Sequence, residues 1–237
     1  TQEWSSYGIP AGITTVTVGG FILMELGLPP ICIYCAVFIM LLVGICVLLT
    51  VEKSNMMMGE SEKESLIPSD EEFKLINYTK YYIALGIDMF CVSVFSPAVM
   101  LYLLDGEHVE ITPLGFTIDS DIYFSIYNTF TFLGAFTGRK LAYYDKKIRY
   151  PMLPLICAIV GALIDIFFYK ALTVLTFIGG FLVMFTNGYL YNQTWRYFDK
   201  KIEGKNRLKI FSLWLLVGDI GSVIGSLLIS RIKAWDK

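Results

Sequence analysis

The sequence predicts an all-helical membrane protein with seven transmembrane helices. Seven apolar stretches are each long enough to cross the hydrocarbon layer, since a helix rising ~1.5 Å per residue needs about 20 residues to span about 30 Å. Basic residues are concentrated on one side of these stretches. Hydrophobic residues make up 55% of the 237 residues, and this fraction exceeds what a soluble domain of that size usually contains.

The seven predicted helices, named A to G, alternate in direction. They cover residues 5–28, 31–51, 81–104, 122–144, 150–169, 171–191 and 208–229. A long polar connection divides them into three segments. Residues 1–51 form two transmembrane helices of an N-terminal bundle, residues 52–80 form a cytoplasmic linker loop, and residues 81–237 form a five-helix C-terminal bundle.

Lysine and arginine are divided unequally between the two sides that alternating crossings create. Of the 19 Lys and Arg residues, four lie on one side: Lys170, Arg231, Lys233 and Lys237. Basic residues accumulate in cytoplasmic loops or their organellar equivalent. The pattern therefore predicts an integral protein of the plasma membrane or of an organelle membrane, including the mitochondrial one, with the N-terminus of the chain on the cytoplasmic-equivalent side.

The sequence lacks the motifs of the common catalytic classes. It contains neither a Gly-x-Ser-x-Gly motif nor a histidine cluster, and its single histidine, His108, is expected to be a solvated side chain of an outer loop at residues 105–121. Cys32 and Cys35 have a chelating spacing but no second pair, so we expect them to pack between helices. We predict no enzyme activity, no metal, no cofactor and no nucleic-acid partner.

Two classes of seven-helix protein are excluded by simple features. Seven-helix receptors carry the N-terminus outside, which is opposite to the predicted orientation. Retinal proteins need a lysine in the last helix for a Schiff base, and helix G contains none between Lys209 and Arg231. Transport is the class that remains.

Three helices contain motifs of a known transporter family. Residues 123–134 of helix D read Y-F-S-I-Y-N-T-F-T-F-L-G, which resembles the F-N-x-F-D-x-x-G-R helix of equilibrative nucleoside transporters. Residues 185–190 of helix F read F-T-N-G-Y-L and are similar to the family's F-S-N-G-Y-L. Gly221 and Gly225 of helix G form a small-residue row like that of the family's last helix.

The resemblance implies a fold and an activity. The fold would be a major-facilitator-like helical bundle, with helices A to G corresponding to the last seven of the family's eleven. The activity would be solute-carrier transport of nucleosides or nucleobases by alternating access. The sequence departs from the family at two positions, with Thr131 in place of aspartate and Ala135 in place of arginine.

One stripe of helix D is the candidate substrate-binding site. Phe124, Asn128 and Thr131 lie at positions i, i+4 and i+7 and therefore share a helix face. An aromatic ring for stacking and an amide with donors and an acceptor suit a flat polar solute such as a nucleobase. The alternative is that Asn128 and Thr131 join helices by hydrogen bonds.

Two acids are candidate proton-coupling residues. Asp88 and Asp219 lie two turns or more from the predicted cytoplasmic ends of helices C and G, whereas Glu25 and Asp165 are expected to reach water near the outer ends. Asp219 is the stronger candidate because Asp88 lies closer to the cytoplasm. Alternatively, a protonated Asp219 bonds to a neighbouring helix.

Two further functions stay open from the sequence. The chain could be a transporter-derived structural subunit of a larger membrane complex, without transport activity. It could also be a different transporter of similar architecture, such as the battenin type. The partners predicted under these interpretations are the lipid bilayer, a small nucleoside or nucleobase, and other membrane protein chains.

Overall fold

The structure is a computed structural model of the chain. It describes residues 78–104, 108–144, 151–169, 171–202 and 205–235, together with isolated positions between residues 12 and 43. The chain divides into two compact units, residues 1–14 with 73–237, and residues 15–72. Predicted helices A and B, Glu25 and the linker up to residue 77 lie outside the continuously described ranges.

The described ranges contain six α-helices and one β-hairpin. They are α1 (Thr79–Val94), α2 (Pro97–Leu104), β1 (His108–Ile111), β2 (Phe116–Asp119), α3 (Ser120–Tyr144), α4 (Met152–Phe168), α5 (Thr173–Lys201) and α6 (Lys205–Trp235). The two strands pair antiparallel, with His108 opposite Asp119 and Ile111 opposite Phe116. Gly115 in the connecting turn has a φ of 74°, which glycine adopts without a steric penalty.

The predicted major-facilitator-like bundle of seven spans is wrong. Within the described ranges, two segments are long and apolar enough to cross a membrane, Thr173–Phe198 with 26 residues and Lys209–Ile229 with 21. α1 and α4 are shorter, with 16 and 17 residues. α3 has 25 residues, but it carries many polar side chains and two cations near its end. It is therefore long enough to cross a membrane but not apolar enough.

Predicted helix C is two helices. Proline lacks an N–H and disfavours helical geometry in the residue before it, so Pro97 ends α1 and starts α2. The N–H of Phe95 closes α1 on the carbonyl of Cys91, and the N–H of Val99 donates to Ser96 O at 3.0 Å. The outer loop also differs from the prediction, because residues 108–119 form the hairpin.

Helix pairing places parallel helices in close contact. α3 runs parallel to α5, α1 runs parallel to α6, and α4 runs antiparallel to α5. Glycines allow these contacts: Gly134 and Gly138 of α3 face the backbone of α5, while Gly221 of α6 faces the carbonyl of Gly86 in α1. Small residues at helix interfaces let backbones approach in this way, as is common in membrane bundles.

The outer surface of the helices is largely apolar. Large hydrophobic side chains are exposed along α3, α4 and α6, among them Leu133, Leu153, Ile156, Leu163, Phe167, Leu216, Ile220, Val223 and Leu227. Contiguous exposed apolar surface of this kind marks contact with a membrane or with another protein.

Several basic side chains lie at one end of the helices. The Lys80 ammonium lies 5.3 Å from the ring of Tyr81, which stacks on Tyr197 at 4.7 Å, and Arg196 lies over Tyr143. These contacts bring the starts of α1 and α6 together with the ends of α3 and α5 at one basic end. The hairpin lies at the opposite end, against the start of α5.

The structure makes one prediction about glycosylation. Asn77-Tyr78-Thr79 and Asn192-Gln193-Thr194 match the acceptor pattern. Asn192 lies inside α5 with 5% of its surface exposed, so we expect it to carry no glycan. Asn77 lies outside the described residues; the sequence predicts it on the basic, cytoplasmic-equivalent side, so we expect no glycan there either. Glycosidase digestion of the protein from a eukaryotic host should leave its gel mobility unchanged. A mobility shift abolished by Asn77→Gln would invert the predicted orientation.

Candidate functional site

A carboxyl and an amide pair in the centre of the bundle. Asp88 of α1 is fully buried, and the Nδ2 of Asn187 in α5 donates to its Oδ2 at 2.8 Å. Asp88 Oδ1 has no hydrogen-bond partner among the described residues. Because a buried polar atom without a partner loses its hydration, this oxygen is a strong candidate contact for a ligand or a proton.

Asn187 is held at this depth by its helix. It follows Thr186, whose hydroxyl donates to the carbonyls of Pro154 and Leu182. Gly188, the next residue, lies against the carbonyl of Ala135 in α3. The segment that resembles the F-S-N-G-Y-L motif therefore packs against two other helices and directs its amide toward α1.

The residues of the predicted stripe on α3 lie on its buried and half-buried sides. Asn128 and Thr131 are both 4% exposed, and Phe124 is half-buried. The Thr131 hydroxyl donates to the carbonyl of Asn128 at 2.8 Å, so this bond lies within α3 and joins no second helix. Asn128 Nδ2 has no partner among the described residues. A substrate-binding role for the stripe stays a prediction.

Two acids lie in surroundings that differ from those expected, although Asp219 is as far along its helix as predicted. Asp219 lies on the exposed face of α6, and Asp165, expected to reach water, is 1% exposed. Both differences depend on the side of the helix on which the acid lies. Hydropathy indicates how far along a helix a residue lies but not its direction around the helix axis. Gly161 lies four residues before Asp165, on the same face of α4, and this face packs closely against α5. The i, i+4 spacing from a glycine to the acid was the sequence signal that Asp165 is buried.

Sequence reasoning missed the partner of Asp165. The Tyr127 hydroxyl lies 3.3 Å from Asp165 Oδ2 and donates to the carbonyl of Phe95 at 3.0 Å. Gly179 and Gly180 of α5 make room for this pair, because a Cβ at either position would collide with Asp165 or with the Tyr127 ring. The cluster joins α3, α4 and the break between α1 and α2.

A second polar group lies toward the basic end of α5. Asn192, Gln193 and Thr194 are buried, and Gln193 Nε2 donates to the carbonyl of Ala142 at 3.2 Å. Arg139 of α3 is also buried, with 8% exposed. Hydropathy placed residues 192–194 beyond the end of helix F, so no signal in the sequence identified them as core positions.

The single histidine belongs to the hairpin. His108 is exposed and pairs with Asp119 at 2.7 Å across the hairpin. Within the part of the chain that the structure describes, no group of three or more His, Cys, Asp or Glu side chains could hold a metal ion. The arrangement is therefore one of buried hydrogen-bonding groups with two carboxyls.

Comparisons with known proteins identify no relative. No protein-family model, no curated protein and no solved structure matches the chain.

Proposed function

We propose that the chain is an integral membrane protein that transports a small, flat, polar solute of the nucleoside or nucleobase class. The observation that carries the proposal is the buried pair of Asp88 and Asn187 inside a bundle with an apolar outer surface. A soluble protein would expose its polar groups and bury its apolar ones. Polar groups in the interior of a membrane bundle mark solute or ion pathways.

The chemistry of the buried groups suits a nucleobase. Its ring edge presents N–H donors together with ring nitrogen and carbonyl acceptors, and amide and carboxyl groups supply the complementary acceptors and donors. Two of the buried atoms without a described partner, Asp88 Oδ1 and Asn128 Nδ2, are one acceptor and one donor. Resemblance of residues 185–190 to the nucleoside-transporter motif supports the same solute class, because Asn187 of this motif lies at the polar pair.

Membrane placement forms part of the proposal. α5 and α6 each have the length and composition of a membrane span. The basic end, with Lys80, Arg196, Lys200, Lys201 and Lys209, lies on the cytoplasmic or equivalent organellar side. The hairpin then lies on the opposite side of the membrane.

Uptake into proteoliposomes tests the proposal. The full-length protein should take up labelled adenosine or hypoxanthine in excess of empty liposomes. Replacing Asn128 by Leu removes an amide whose Nδ2 bonds to no described protein group, so we expect the variant to fold. Uptake should fall on the order of tenfold for each hydrogen bond to the solute that is lost.

Thr129→Val is the matched control for Asn128→Leu. Thr129 is the next residue, but its hydroxyl donates to the carbonyl of Ser125 within α3. Uptake by this variant should equal that of the parent. Equal uptake by Asn128→Leu and the parent would remove Asn128 from the site, and failure of the parent to move either solute would remove the transport proposal.

A structural subunit is the second candidate function. It is favoured by Asp219, a carboxyl exposed on the apolar face of α6 among Leu215, Leu216 and Ile220. A charged group facing lipid is costly, so a further membrane chain that covers this face would stabilise it. Under this proposal the purified protein moves neither solute, and it migrates in mild detergent with other membrane subunits.

A further inference from the structure

The break between α1 and α2 leaves the Phe95 carbonyl without its helical donor. In an unbroken helix the Phe95 carbonyl would accept from the N–H of Val99. That N–H donates instead to Ser96 O, as does the N–H of Met100 at 3.1 Å. The described donor to Phe95 O is the hydroxyl of Tyr127 in α3, at 3.0 Å.

The Tyr127 hydroxyl stands between two acceptors. Its oxygen is 3.0 Å from Phe95 O and 3.3 Å from Asp165 Oδ2. A hydroxyl has one proton to donate and can also accept. Both contacts are therefore full hydrogen bonds when the Asp165 carboxyl carries a proton and donates it to the Tyr127 oxygen. When Asp165 is ionised, the two acceptors compete for one proton.

In the part of the chain that the structure describes, hydroxyl and backbone groups face Asp165. From α3 the hydroxyls of Tyr127 and Tyr123 face it, with the Tyr123 hydroxyl bonded to Thr176 Oγ1 at 2.8 Å. From α5 the backbone at Gly179 lies against it, and Tyr169 follows one turn later, directly after the end of α4. Within the described ranges, neither a lysine nor an arginine nor His108 forms an ion pair with Asp165.

We propose that Asp165 is a proton-binding site that controls the α1–α2 break through Tyr127. With the proton bound, Asp165 donates to Tyr127, and Tyr127 donates to Phe95 O and holds the break closed. Release of the proton leaves a carboxylate, the stronger acceptor, and the Tyr127 O–H turns to it. The Phe95 carbonyl then loses its donor, and α2 is free to move.

The inference goes beyond the proposed function, since it holds whether or not the chain moves a solute. Only a proton is exchanged, and no covalent bond between heavy atoms changes. Three helices share the hydroxyl of Tyr127, so a local change at α4 is transmitted to the break through α3. We expect the amides of residues 98–104 to exchange slowly at low pH and faster as the pH rises.

Hydrogen exchange measured by mass spectrometry tests this in the full chain, held in lipid nanodiscs without solute. Rates for residues 98–104 are divided by the intrinsic chemical rate at each pH. The parent should show a step in protection with pH, on the order of tenfold for one hydrogen bond. Asp165→Asn donates permanently from its amide to Tyr127 and should remain protected throughout. Tyr127→Phe should be less protected at every pH, without a step.

Tyr123→Phe and Asp121→Asn are the controls. Tyr123 bonds to Thr176, and Asp121 is exposed at the start of α3, so both variants should keep the step of the parent. A parent without a step would overturn the proposal. So would a step of normal size in Tyr127→Phe, which stays informative even if Asp165→Asn folds poorly.

Discussion

Replacing Gly138 by valine is expected to separate α3 from α5 and to destabilise the bundle strongly. A Cβ at this position would collide with the carbonyl oxygen of Phe185 and would lie 2.9 Å from the backbone nitrogen of Tyr189. Both are backbone atoms, so a change of side-chain rotamer cannot relieve the clash. Overpacking of a core lowers the free energy of unfolding by about 3 kcal/mol at the upper end of its usual range. For a domain of this size, such a loss lowers the Tm by on the order of 10 °C.

Thr137→Val is the control for Gly138→Val. Thr137 precedes Gly138 in α3 but is exposed, so a valine there adds β-branched bulk to the outer surface alone. Thermal unfolding monitored by circular dichroism in detergent should show a Tm near that of the parent. Two variants of equal stability would contradict the close parallel packing of α3 on α5.

Replacing Asp88 by asparagine is expected to abolish the response of uptake to an imposed pH gradient. Asparagine keeps the shape of the carboxyl and an oxygen that accepts from Asn187 Nδ2, but it cannot bind or release a proton. Folding should therefore be retained. Uptake of labelled adenosine or hypoxanthine into proteoliposomes should be equal with and without the gradient, whereas the parent should be stimulated.

Asp219→Asn provides the comparison. Asp219 is exposed on α6, outside the polar interior, so we expect this variant to respond to the gradient as the parent does. Asp88 is therefore the stronger candidate for proton coupling, whereas depth along the helices favoured Asp219. A gradient response in Asp88→Asn, or its loss in Asp219→Asn alone, would remove Asp88 as the coupling residue.

Helix positions were predictable where an apolar run ends at charged or polar residues. Helix D was predicted at residues 122–144 and is observed at Ser120–Tyr144, and helix E was predicted at 150–169 and is observed at Met152–Phe168. α5 instead continues ten residues past the predicted end at 191, to Lys201. Its last turns are polar on average but pack Phe198 against Phe211 and Trp214, and hydropathy does not register such contacts.

The buried polar residues were predictable only in part, because hydropathy does not register contacts between helices. A stripe at i, i+4 and i+7 is a local pattern, so Asn128 and Thr131 could be placed on one face from the sequence. Asp88 and Asn187 are 99 residues apart, and no local pattern links an acid in one helix to an amide in another. The direction of Asp219 likewise depends on which face of α6 packs against α1.

The short length of α4 has a consequence for the order in which the protein is assembled during synthesis. Its 17 residues span about 26 Å, less than the ~30 Å of hydrocarbon. A nascent α4 alone would present the Asp165 carboxyl to lipid, and the cover for that group, Gly179, belongs to α5, which leaves the ribosome later. Under the proposed membrane placement, α4 and α5 are therefore expected to enter the bilayer together, as one hairpin joined by the few residues between 168 and 173.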